Sequence, residues 1–117
     1  MNIEEFREYC IAKKGTTEEL PFDETTLVFK VMGKIFAITK IDEFNSFNVK
    51  CDPERAVQLR ETYAGVLPGY HMSKKHWNTI VLDGSVPEDK AFQWIDDSYD
   101  LVVAKLPRAL KETLKNL

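Results

Sequence analysis

Ile3, Phe6 and Cys10 recur at helical spacing close to the amino end. Asn2 stands three residues before Glu5, the form of a capping box, so the pattern predicts a helix over residues 3–13 that ends at Gly15. The stretch from Thr16 to Thr25 is polar and acidic, and its Leu20-Pro21-Phe22 cannot lie inside a helix because proline removes a donor and clashes with the preceding turn. It reads as a loop pinned to the core by Leu20 and Phe22. From Leu27 the period becomes two: Leu27, Phe29 and Val31 alternate with Val28, Lys30 and Met32. Gly33-Lys34 interrupts this strand and Ile35 to Thr39 resumes it, which predicts a tight hairpin. After a turn at 42–46, Phe47, Val49 and Cys51 alternate with Asn48 and Lys50 in a third strand.

Asp52-Pro53-Glu54 opens a second helix, with Asp as cap and Pro at the first helical position, where a missing N–H costs nothing. Ala56, Leu59 and Tyr63, with Val57 beside them, form its buried face. Leu67-Pro68-Gly69-Tyr70 fits a type II turn with Gly69 at the positive-φ position. A fourth strand spans roughly His76 to Leu82. Ser85 and Glu88 repeat the capping-box spacing ahead of a long stripe of Phe92, Ile95, Tyr99, Val102 and Leu106. Pro107 breaks that stripe, and Leu110, Leu114 and Leu117 continue it on a short last helix. The order α-β-β-β-α-β-α-α over 1–117 predicts a single α+β domain: a two-layer α/β sandwich, antiparallel sheet with helices on one face.

Composition supports a packed domain, since 44% of the 117 residues are hydrophobic. The longest apolar run is four residues, far short of the ~18 needed to span a bilayer, and the amino end lacks the basic and apolar regions of an export leader. Cys10 and Cys51 sit in no metal or redox spacing and read as reduced thiols, so a cytoplasmic location without membrane contact is expected. The net charge of −3 argues against indiscriminate binding to nucleic acid. Its distribution changes the picture. Residues 1–25 hold seven acids against three bases, residues 26–81 eight bases against five acids, and residues 82–117 seven acids against five bases. An anionic partner should meet the middle of the chain.

The densest chemistry lies at residues 68–79, where Tyr70, His71, Lys74, Lys75, His76, Trp77 and Asn78 follow a rigid turn. The lysines can neutralise phosphates and the aromatic rings can stack on bases. The structural alternative places Trp77 in the core, the histidines in local hydrogen bonds and the lysines in solvent. His71 and His76 share no assured face, and the cysteines are distant, so no metal site is expected. Cys51 and Ser98 lack the surroundings of a nucleophile, and no glycine-rich phosphate loop is present; neither catalysis nor a cofactor is expected. The acids of the first helix and its following loop read as a solvated face.

Phe29-Lys30-Val31-Met32-Gly33-Lys34-Ile35-Phe36-Ala37, Val49-Lys50-Cys51-Asp52-Pro53-Glu54, Pro68 through Thr79, and Ser98-Tyr99-Asp100-Leu101-Val102-Val103 together resemble the bacterial MmcQ/YjbR family nearly end to end. The resemblance implies a CyaY-like (frataxin-like) fold, also described as double-wing, and a DNA-binding role. The characteristic surface falls on Lys34, Lys50, Tyr70, His71, Lys74, Lys75, His76, Trp77 and Asn78. Ser73 replaces an expected asparagine, and Lys75 an expected arginine with its planar two-pronged grip. Similarity to frataxin implies iron binding by an acidic first helix, of which Glu4, Glu5 and Glu8 are a sparse version. Two functions follow as expectations. One is weak, salt-dependent binding of double-stranded DNA. The other is a non-catalytic module for a protein or small ligand, with Tyr70 to Asn78 lining a cleft against Lys34 and Lys50.

Overall fold

Six strands and four helices make up the computed structural model, which describes residues 1–70 and 72–117. Their order is α1 (Ile3–Ile11), β1 (Thr16–Glu19), β2 (Thr26–Val31), β3 (Lys34–Lys40), β4 (Ser46–Lys50), α2 (Pro53–Thr62), β5 (Val66–Pro68), β6 (Trp77–Val81), α3 (Glu88–Ala104) and α4 (Arg108–Lys115). The strands form one antiparallel sheet in the order β1-β2-β3-β4-β6-β5. It is the expected α+β architecture.

Strand register sorts the side chains. Phe29 opposes Ala37, Ala37 opposes Val49, and Phe47 opposes Ile80, so these residues share one face. That face packs with Phe6, Cys10, Trp94, Ile95 and Val102 from the helices into the main core. Phe6 is its hub, with ring centroids 5.7, 5.4 and 5.0 Å from Phe29, Phe44 and Phe47. Full burial of one such side chain stabilises the fold by roughly 1.5–3 kcal/mol. Ile38, Asn48 and Thr79 alternate onto the opposite face, as do Lys50 and Trp77.

Local chemistry explains the element ends. Asn2 Oδ1 accepts the Glu5 N–H at 2.8 Å and Glu5 Oε1 accepts the Asn2 N–H at 3.1 Å, completing the expected capping box. Asp52 accepts the Arg55 N–H and caps α2. The hairpin between β2 and β3 turns on Met32 and Gly33, at φ of 49° and 84°, one residue earlier than expected. Two positive φ values give the turn the twist a two-residue hairpin needs.

Several expectations are corrected. Residues 16–19 form an edge strand, because pairing with β2 satisfies their backbone while Glu18 and Glu19 make ion pairs with Arg7 and Lys30. Leu20 and Phe22 do not pin the loop to the core; both are exposed. Residues 66–68 form a strand against β6, and Gly69 is not among the positive-φ glycines, so the type II turn is absent. Gly69 is needed for close approach instead: a Cβ there would lie 2.8 Å from the Trp77 Cβ. Ser85 does not cap α3. Its N–H donates to Asp83, and the helix starts after Pro87, whose fixed φ suits the position.

One irregularity reaches the functional surface. The β2–β3 register shifts at Phe29/Lys30, leaving Phe36 as the extra residue, and the β3–β4 pairing runs only as far as Ala37 and Val49. The Ser98 hydroxyl of α3 fills the gap, accepting from the Lys50 N–H at 2.8 Å and donating to the Phe36 carbonyl at 2.6 Å. Among the described residues no helix is long and apolar enough to cross a membrane.

Candidate functional site

Lys50 closes β4 and lies opposite Trp77, the first residue of β6. Lys34 opens β3 directly after the hairpin turn, and Lys105 follows the last turn of α3. These four side chains converge on a groove of about 420 Å³, completed by Gly33, Ile35, Val102 and Leu106. Among the described residues no carboxylate lines it. Trp77 is half-buried there, so its ring forms part of the wall while keeping an accessible edge.

Five cations elsewhere are held by carboxylates, Arg7 by Glu18 among them. Lys13 pairs with Asp96, Lys30 with Glu19 at 3.1 Å, Lys40 with Asp23 at 3.9 Å and Arg55 with Asp97 at 4.0 Å. Among the described residues, Lys34, Lys50 and Lys105 are in no ion pair. Lys105 also meets the negative end of the α3 dipole, which offsets part of its charge. Across Lys50 the surface becomes mixed in charge: a neighbouring depression sets Asp52 and Asp97 beside Arg55 and Lys50 itself. Burial raises the Asp97 carboxyl above its ordinary value, with Arg55 opposing the shift. The positive groove therefore has an edge at Lys50.

A second recess of about 380 Å³ opens on the helix-free face, one row further along the same strands. Ile35, Ile38, Asn48 and Thr79 belong to the sheet, Phe22 comes from the loop before β2, and Tyr70 and Met72 from the loop before β6. Thr79 organises its polar side. Its hydroxyl donates to Asn48 Oδ1 and accepts the Tyr70 N–H at 3.1 Å. The Asn48 amide nitrogen has no protein acceptor among the described residues.

The YjbR family model matches residues 11–101. The chain belongs to the YjbR family. It is 34% identical to the uncharacterized protein YjbR of Escherichia coli K12 over the full length of both chains. It is 36% identical to the uncharacterized protein YyaQ of Bacillus subtilis over 64% of this chain and 63% of that one. The crystal structure of the Deinococcus radiodurans protein DR2400, domain DUF419, superposes with a TM-score of 0.90 at 36% identity, covering 97% of this chain and 88% of that one. A Pseudomonas syringae protein gives 0.73 at 28% identity, covering 86% and 98%.

Within this YjbR-family fold the surface expected from sequence divides. Lys34, Lys50 and Trp77 meet in the basic groove. Tyr70 lies in the second recess instead. Asn78 is not a surface residue: it is 1% exposed on the helix side, donating to the Ala56 carbonyl and accepting from Arg60. Its place follows from alternation, which sends Asn78 to the face opposite Trp77 and Thr79. Lys74 is exposed, and its ammonium donates to the Gly69 carbonyl at 3.2 Å. Lys75 is exposed, and His76 shapes the loop through its backbone, receiving the Cys51 N–H at 2.7 Å. His71 lies outside the described residues. Sequence reasoning missed Lys105 and Phe22. Lys105 sits 55 residues from Lys50, and its only local signal is a cation between the last two members of the apolar stripe and two residues before Pro107.

Proposed function

We propose that this chain is a cytoplasmic DNA-binding protein that grips the phosphate backbone in the groove of Lys34, Lys50 and Lys105, with Trp77 as a flat contact. The observation that carries this reading is the convergence of three lysines, none in an ion pair among the described residues, on a wall free of carboxylates. A net charge of −3 makes such a local cluster decisive for any anion. A binding role without catalysis fits the candidate nucleophiles. Ser98 is committed to two backbone groups, and burial raises both the Cys10 and Cys51 thiols, keeping them protonated.

Three phosphate contacts give a slope of log K against log salt of roughly −2 to −3 on duplex DNA. Fluorescence anisotropy of a labelled duplex between about 50 and about 200 mM salt measures it. Lys34→Gln, Lys50→Gln and Lys105→Gln should each weaken binding and reduce the slope by about one. Absence of duplex binding at about 50 mM salt, or a slope indifferent to all three substitutions, refutes the proposal.

A further inference from the structure

The basic groove wraps the end of the sheet: Lys34 and Lys105 reach it from the helix side, while Lys50 and Trp77 reach it from the helix-free face, one row from the recess. Lys50 and Trp77 are a register pair, Asn48 and Thr79 are the pair two residues along, and Ile35 lines both hollows. Two residues of strand separate the rows by about 7 Å. That is the scale on which a nucleotide separates its phosphate from its base. The recess has the chemistry of a base site. Its floor is apolar at Ile35 and Ile38, and its walls carry the rings of Phe22 and Tyr70, which are 68% and 69% exposed. The amide nitrogen of Asn48 is available to a hydrogen-bond acceptor.

The backbone beside each ring is held by hydrogen bonds. Asp23 accepts the N–H groups of Thr25 and Thr26 at 2.9 and 2.6 Å and the Thr26 hydroxyl at 3.0 Å, fixing the turn that follows Phe22. On the other wall the Gly69 N–H donates to the Trp77 carbonyl at 2.9 Å and the Tyr70 N–H to Thr79. Large exposed rings over an apolar floor are well suited to stacking.

We propose that this recess receives an unpaired nucleobase, so that the preferred nucleic acid is a single strand whose phosphate lies in the adjoining lysine groove. The inference rests on the phosphate-binding reading above and specifies which form of nucleic acid that surface takes. A base inside a duplex is stacked and cannot enter; duplex engages the groove alone.

The test compares labelled single-stranded and duplex oligonucleotides of equal length by anisotropy, on the intact chain, with Phe22→Ala and Tyr70→Ala beside the lysine variants. The expected result is single-strand binding at least about tenfold tighter than duplex, with each aromatic substitution costing about tenfold on the single strand alone. Salt slopes should stay unchanged in the aromatic variants, because stacking releases no counterions, whereas the lysine variants reduce them on both forms. Both rings are exposed, so these variants should fold, and circular dichroism checks that they do. Duplex binding equal to or tighter than single-strand binding overturns the base site and leaves the groove proposal standing. Absence of binding to either form overturns both. A free nucleoside monophosphate that binds as tightly as the oligonucleotide also overturns the single-strand assignment.

Discussion

Replacing Ser98 by alanine should destabilise this fold far more than the loss of one hydroxyl suggests. The side chain is fully buried and bridges two strands where their own ladder stops, joining the Lys50 N–H to the Phe36 carbonyl through bonds of 2.8 and 2.6 Å. Alanine leaves both backbone groups without that partner, and each buried unsatisfied group costs about 1–3 kcal/mol. Lys50 is only half-buried, so water recovers part of the loss at its N–H; Phe36 is fully buried and its carbonyl has no such recourse. The expected total is about 2–4 kcal/mol, a fall in Tm on the order of 8–15 °C for a domain of this size. Urea unfolding at constant m-value measures it directly. Ser98→Cys keeps a donor, though a weaker one on a somewhat larger atom, and should fall between wild type and alanine. If alanine costs less than about 0.5 kcal/mol, the hydroxyl is not completing the sheet and the reasoning fails.

Gly33→Ala, at φ +84° with open space around it, should cost about 1–2 kcal/mol by thermal melting, and Gly15→Ala, at φ +74° with the new Cβ 2.5 Å from Leu114 Cδ1, should cost more because that side-chain end must also move. Arg7 holds the Glu18 carboxyl below its ordinary value. The pair therefore stabilises the fold above the ordinary carboxylate range, and its contribution disappears as pH falls through the lowered folded value; the stability gap between wild type and Glu18→Gln should close on acidification. Asp23 is likewise lowered by the N–H groups and hydroxyl it accepts, so Asp23→Ala should loosen the Phe22 turn, visible as faster amide exchange at Thr25 and Thr26. Burial raises both thiols, so iodoacetamide near neutral pH should modify Cys51 slowly and Cys10 only after unfolding.

The elements that show clearly in the sequence carry their reasons locally. Asn2 with Glu5 and Asp52 with Pro53 mark helix starts through contacts within three residues, and the alternation of β4 marks a strand with one buried face, whereas β2 alternates in sequence yet buries Val28 as well as Leu27 and Phe29. What escapes is decided at long range. Residues 16–19 look like loop because an edge strand needs no apolar alternation once β2 supplies its partner. Pro68 reads as a turn, yet an edge strand tolerates it. The same holds at the candidate site. Lys34, Lys50 and Trp77 were recognisable as a set, but Asn78 follows the pleat inward, and Lys105 and Phe22 join from segments whose approach no spacing rule encodes.

The two outer strands have a further consequence. β1 presents Glu18 and Glu19 along one border, and β5 is three residues long and ends in a proline without an N–H to offer. Neither border is a ready template for another chain's strand. Growth of the sheet from molecule to molecule is thereby discouraged.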